Sequence, residues 1–222
     1  MNKIGILAAL KEEIEDILND PFFNLECNKN NSMYIEVTGV GKANAVYGLS
    51  KIIDKVDTVL VLGTAGSLRD APVGSLCICN EFVEHDMDAS GLGIERGITP
   101  FSKMETTVIK SCNKLVFNWV NLSCAEALGD EHPVFNGRCM SGDQFITDKE
   151  LATKKRDEFD ADIVDMESAA IAKICAKEGK NVLSLRYITD NAGCGANTDW
   201  EQNVKDGSKL FHKILKEIMI PF

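Results

Sequence analysis

Four acidic side chains stand where apolar runs give way to helical patterns: Glu13 in "LKEE", Asp165 and Glu167 in "VDMES", and Asp190 in "ITDNAG". Such groups have distinct chemistry open to them. Glu167 shares a helical stripe with Ile171, Ile174 and Cys175, so it points inward, where a carboxylate needs partners. A vicinal diol supplies two hydrogen bonds to one carboxylate. Asp165 fits a helix cap, its oxygen serving amides two or three residues on. Asp190 and Thr189 end an apolar strand; a partly desolvated carboxyl there can work as an acid near neutral pH, and Asp before Asn-Ala-Gly also starts turns. Glu13 lies four residues before Ile17 and shares its inward side, while Glu12 goes with the exposed Asp16 position. Acids in a first helical turn are favoured by the helix dipole alone, so spacing by itself favours a structural role for Glu13 over a functional one.

Three further stretches offer groups to a ligand. "GTAGS", 63 to 67, brings backbone amides and hydroxyls to a strand end, without the lysine and spacing of a phosphate-binding loop. "TGVGKANA" has glycines and a lysine but no dinucleotide fingerprint. In "SGDQFIT", Phe145 is either core or a platform for a flat heterocycle, with the next backbone group reading the ring's edge.

These residues need a scaffold, and apolar strand-like runs alternate with helical patterns along the whole chain. "KIGILAAL", "SMYIEVTGV", "DTVLVLGTAGSL", "GSLCICNEFVEHDM", "RCMSGDQFIT", "DIVDM" and "KNVLSLRYITD" read as strands. The third runs into a small-residue turn and the fourth is long and bent. "EEIEDILND", "GKANAVYGLSKIID", residues 107–128, "DKELATKKRDEF", "ESAAIAKICAKEG" and "WEQNVKDGSKLFHKILKEIM" read as helices, the last weakened locally by Gly207. The order predicts a single α/β domain over residues 1–222, a central mixed β-sheet flanked by helices. Ligands of such sheets gather at the carboxyl ends of strands. That singles out "LKEE", "TGVGK", "GTAGS", "SGDQFI", "VDMES" and "ITDNAG".

Composition narrows the function. A net charge of −10 argues against nucleic acid or a membrane surface as partner, though not against an uncharged nucleoside. The eight cysteines form no CxxC pair and the three histidines are scattered, which predicts free thiols, no metal site and a reducing, cytoplasmic location. No stretch reaches the ~20 apolar residues of a membrane span, and the N-terminus lacks a signal-peptide layout.

In this order, "KIGILAALKEEIEDI", "TGVGKANAVYG", "VLGTAGSL", "VGSLCICNEFVEHDMDASGLG", "SGDQFI", "VDMESAAIA" and "LRYITDNAG" resemble the 5'-methylthioadenosine/S-adenosylhomocysteine nucleosidases of the nucleoside phosphorylase/hydrolase superfamily. The resemblance runs from residue 3 to about 200. It implies a nucleoside phosphorylase-like fold, a purine nucleoside substrate, no cofactor and a homodimer. It also implies roles. Glu13 would activate water, Glu167 would hold the ribose hydroxyls with Met166 beside the sugar, and Asp190 would protonate N7 of the purine. Phe145 would stack on the base and the Ile146 backbone would read its edge. Thr64, with Ala65 and Gly66, and Arg186 would lie near the nucleophile, Thr189 beside the acid, and Trp200 over the 5' substituent. The wording of "EHDMDASGLGIERGITPF" departs from the family, and it falls on the 5' side; "DNAGCGANTDW" carries Gly193, Cys194 and Gly195 in a loop expected to be mobile. Two other readings stay open: a phosphorylase that uses Lys11 and Lys42 to hold phosphate, and a nucleoside-binding protein without catalysis.

Overall fold

Every residue of the first strand, β1 (Ile4–Ala8), is buried, as expected of a strand covered on both faces. In the computed structural model, described over residues 3–23, 32–102, 107–110, 112–192 and 200–219, seven more strands follow. They are β2 (Met33–Val37), β3 (Thr58–Ser67), β4 (Leu76–Glu84), β5 (Ile109–Lys110), β6 (Val134–Ser141), β7 (Ile163–Asp165) and β8 (Asn181–Asn191). The helices are α1 (Glu15–Asn19), α2 (Lys42–Ser50), α3 (Lys114–Leu128), α4 (Lys149–Phe159), α5 (Ser168–Lys177) and α6 (Trp200–Met219).

The expected mixed sheet forms, and part of it closes on itself. β1 pairs in parallel with β2 and β3, and β3 pairs in parallel with β8. β8 then runs antiparallel to β4, β4 parallel to β6, and β6 parallel to β7. β7 returns antiparallel to β3 through Gly66↔Val164 and Ser67↔Ile163. The circuit β3–β8–β4–β6–β7 is therefore a small closed barrel, with β1 and β2 as a wing and β5 on β4.

Period-two alternation divides the core. Ile4, Ile6, Leu60, Leu62, Leu183 and Leu185 face α1, α3 and α6, while Leu7, Val59, Val61 and Val182 face α2 and α5. Side-chain caps start two helices: Asn113 accepts from the Val116 amide at 3.0 Å and Asp148 from the Leu151 amide at 2.7 Å. Gly207 is more than a weak point in α6. A Cβ there would sit 3.2 Å from the Tyr187 side chain, so the missing side chain lets the helix approach β8. The longest helix, α6, is amphipathic, and no helix among the described residues is long and apolar enough to cross a membrane.

Three local expectations change. The helix expected over 107–128 begins at Lys114, behind the short β5, because Asn113 caps it there. The first helix is broken into a 3-10 turn (Glu12–Ile14) and α1, with Ile14 and Ile17 still buried. "GTAGS" is strand and not turn: β3 runs through Ser67, held by β8 and β7. All six cysteines among the described residues are free, and five of them are buried.

Candidate active site

A cavity of about 200 Å³ opens where six strands end. Its walls are Ala9, Leu10, Glu13, Val40, Thr64, Ala65, Gly66, Gln144, Phe145, Ile146, Val164, Asp165, Met166, Glu167, Thr189, Asp190 and Ala192. Every one except Ala9 belongs to the six stretches picked out at strand ends, as open α/β sheets predict.

Glu13 leaves the 3-10 turn after β1 and is 3% exposed. One carboxylate oxygen accepts from the Thr64 amide at 2.8 Å and hydroxyl at 3.1 Å, the other from the Leu10 amide at 3.1 Å. Three donors thus fix its plane. The packing leaves nothing spare: a Cβ on Gly63 would fall 2.8 Å from the Glu13 carboxylate and 2.2 Å from the Arg186 guanidinium.

Glu167 and Asp165 divide the work at the start of α5. Asp165 ends β7 and accepts from the Glu167 amide at 3.3 Å and the Ser168 amide at 3.2 Å, so it serves amides two and three residues on as expected, although the cap position is not its own. It is also the centre of a buried network, taking the hydroxyls of Ser141 and Ser168 and, at 2.5 Å, the Arg186 guanidinium. Glu167 occupies the cap position itself, one residue before the helix. Its inward direction therefore comes from the non-helical backbone of the cap position (φ −133°, ψ −42°) and not from a helical stripe. It accepts from the Gly41 amide at 2.9 Å. Burial, reinforced by the neighbouring Asp165 charge, pushes its pKa up to about 7, against the pull of Arg186 and the Gly41 amide.

Arg186 lies near Glu13 and Thr64, since a Cβ on Gly63 would meet both its guanidinium and the Glu13 carboxylate within 3 Å, but it does not line the cavity. It is 1% exposed and lies behind the wall, bonded to Ser184 at 2.9 Å, Ser168 at 2.9 Å and the Thr64 carbonyl at 3.5 Å. Burial opposes its charge, yet Asp165 and Glu167 outweigh burial and hold it protonated beyond its ordinary range. Ser141, Ser168 and Ser184, which complete this network, carry no signature in sequence.

Asp190 reaches the cavity through a bulge. Ala65 pairs with Ile188 and Gly66 with Asp190, so Thr189 is the extra residue. The Thr189 hydroxyl donates to one Asp190 oxygen at 2.8 Å. Phe145 is 66% exposed at the cavity, with Ile146 buried behind it. Trp200 begins α6, but its side chain and the loop with Gly193, Cys194 and Gly195 lie outside the described residues.

A family model, "Phosphorylase superfamily", matches residues 3–220. The chain belongs to that superfamily. Its similarity to nucleosidases extends over its full length. An aminodeoxyfutalosine nucleosidase of Helicobacter pylori is 30% identical, the match covering 99% of this chain and 98% of the relative. A 5'-methylthioadenosine/S-adenosylhomocysteine nucleosidase of Staphylococcus haemolyticus is also 30% identical, covering 97% and 98%. Among solved structures, a mutant of the Helicobacter pylori nucleosidase with 5'-methylthioadenosine in its active site superposes with a TM-score of 0.82 at 26% identity, covering 98% of this chain and 99% of that one. Within the superfamily the chain is thus an enzyme of the nucleosidase, N-glycosidase type.

Proposed function

We propose that the protein hydrolyses the N-glycosidic bond of an adenine nucleoside with water as nucleophile. The observation that carries this reading is the charge of the cavity. Among the described residues, its walls include four carboxylates, Glu13, Asp165, Glu167 and Asp190, and no lysine or arginine. A phosphate dianion in a partly dry site needs charge-assisted donors. The two lysines that kept phosphorolysis open do not provide them. Lys11 is exposed, and the Lys42 ammonium is spent on Asp86 at 2.7 Å and Glu84 at 3.5 Å.

Each carboxylate has a task suited to its surroundings. Asp190, with one oxygen tied to Thr189, gives a proton to the purine so that the base leaves neutral. Glu13, fixed by three donors, orients water and takes its proton. Glu167 keeps an oxygen for the ribose hydroxyls and lends negative charge to the oxocarbenium-like sugar. Phe145 stacks on the base. The ordered carboxylates also weigh against a binding protein without catalysis, which has no use for three donors on Glu13.

The two relatives' names differ in substrate, so the test covers both. The protein is incubated with 5'-methylthioadenosine, S-adenosylhomocysteine or aminodeoxyfutalosine, with and without phosphate, and the products are separated. Base and free sugar at equal rates in both conditions are expected for at least one substrate. Base release only with phosphate, accompanied by a sugar 1-phosphate, overturns the reading.

A further inference from the structure

A ring of hydrogen bonds outside the cavity joins two of its walls. The Lys42 amide donates to Asp143 at 2.8 Å, and its ammonium to one oxygen of Asp86 at 2.7 Å. The Asp143 amide donates to the other Asp86 oxygen at 2.9 Å, closing the circuit. Two glycines are packed against it: a Cβ on Gly41 would lie 3.1 Å from the Asp143 carboxylate, and one on Gly142 would lie 2.9 Å from that of Asp86. Burial works against the Asp86 charge, yet Lys42 and the Asp143 amide hold its pKa below the usual carboxylate range.

Each end of the ring leads to a group that meets the ligand. Lys42 follows Gly41, whose amide holds Glu167 at 2.9 Å. Asp143 precedes Gln144, Phe145 and Ile146, all in the cavity wall. Asp86 itself does not line that cavity; it borders a second one, with Arg96, Lys155 and Glu158, whose wall shares Gln144 with the first. It therefore reaches the reaction only through its neighbours.

We propose that Asp86 is a positioning residue: through Lys42 and Asp143 it locks together the loop whose amide orients Glu167 and the loop that carries Phe145 and Ile146. The sugar and base subsites are then set by one ring instead of two independent loops. This inference rests on the nucleosidase reading for the identity of the subsites.

The experiment compares wild type, Asp86→Ala, Lys42→Met and the double variant. It measures kcat and KM with 5'-methylthioadenosine, Kd for adenine by calorimetry, and thermal midpoint in parallel. A displacement of about an ångström can cost on the order of a hundredfold in rate, so each single variant is expected to lose roughly ten- to a hundredfold in kcat/KM. Adenine affinity should fall with it. The double variant should be no worse than the poorer single one, because an opened ring cannot be opened twice. It also removes one charge of each sign, leaving Glu84 paired with Lys173.

A lowered midpoint with wild-type kcat/KM and adenine Kd overturns the proposal, as do losses that multiply in the double variant. If Asp86→Ala does not fold, the isosteric Asp86→Asn is read in the same way, since one of the two oxygens that accept from Lys42 and the Asp143 amide becomes an NH2 donor and one link of the ring is lost. A wild-type protein inert toward 5'-methylthioadenosine, S-adenosylhomocysteine and aminodeoxyfutalosine alike refutes the nucleosidase reading instead, and the adenine Kd still reports on the ring.

Discussion

Glu167→Gln should make the fold more stable at pH 8 while removing activity. Burial and the Asp165 charge raise the Glu167 pKa from an ordinary 4.5 to about 7. The folded state therefore binds a proton that the unfolded chain has already released across that interval. Stability from this group is complete below about pH 4.5, declines as pH rises, and is gone above about pH 7. At about 1.4 kcal/mol for each tenfold in proton affinity, the interval is worth roughly 3 kcal/mol. Glutamine imitates the protonated form. Its oxygen can keep the Gly41 amide, and Arg186 retains its 2.5 Å contact with Asp165. The variant should lie within about 1 kcal/mol of wild type near pH 5 and exceed it near pH 8 by up to about 3 kcal/mol. For a domain of this size that is on the order of 6–12 °C in thermal midpoint.

The assay is urea denaturation of both proteins, without ligand, at several pH values from 5 to 8. A wild-type stability that falls through this range beside a flatter variant curve is expected. A variant less stable than wild type at pH 8, or one with the wild-type pH slope, refutes the assignment. The same titration has a functional side. A protonated Glu167 accepts fewer hydrogen bonds from ribose hydroxyls, so kcat/KM for the nucleoside should decline as pH drops below about 7.

Asp190→Asn keeps the shape of the site and removes its acid. Turnover should drop by on the order of 10²–10⁴ with KM little changed, and a kcat within tenfold of wild type refutes the acid role. Gly63→Ala places a methyl group 2.2 Å from Arg186 and 2.8 Å from Glu13, both held in place by their partners. A loss of about 1–3 kcal/mol together with activity is expected in denaturation and turnover assays, and a variant within 0.5 kcal/mol of wild type refutes the packing argument.

The alternating strands and helices are legible because apolar spacing depends on local chemistry. The site stretches are legible because they sit where those patterns switch. Tertiary pairing is not encoded so locally. Nothing in "LRYITDNAG" announces that Thr189 is a bulge residue; that follows from β3 and β8 shifting register between Ala65 and Gly66. Nothing in "GTAGS" announces a strand, since its small residues carry a turn signal and only β7 and β8 make it extended. Glu167 is instructive in another way. A helical stripe points it inward, and it is inward, but from the cap position. Arg186 lies behind the wall because Asp165, Ser168 and Ser184 satisfy it there, partners that spacing cannot assign.

The barrel closure explains how so acidic a cavity is tolerated. β7 is three residues long, yet it brings Asp165, and Glu167 just after it, against the strand whose Thr64 supplies two of the three donors to Glu13. One guanidinium behind the wall, in contact with Asp165 and 3.7 Å from Glu167, offsets only part of the charge. Burial, with the Asp165 charge adding to it, still raises the Glu167 pKa. A neutral nucleoside does little to relieve it, whereas a sugar that becomes cationic does. The carboxylates therefore interact more strongly with the transition state than with the ground state, and only that difference accelerates the chemical step. A phosphate dianion would worsen the same imbalance. On this argument, the raised Glu167 pKa and the proposed use of water as nucleophile have a common origin.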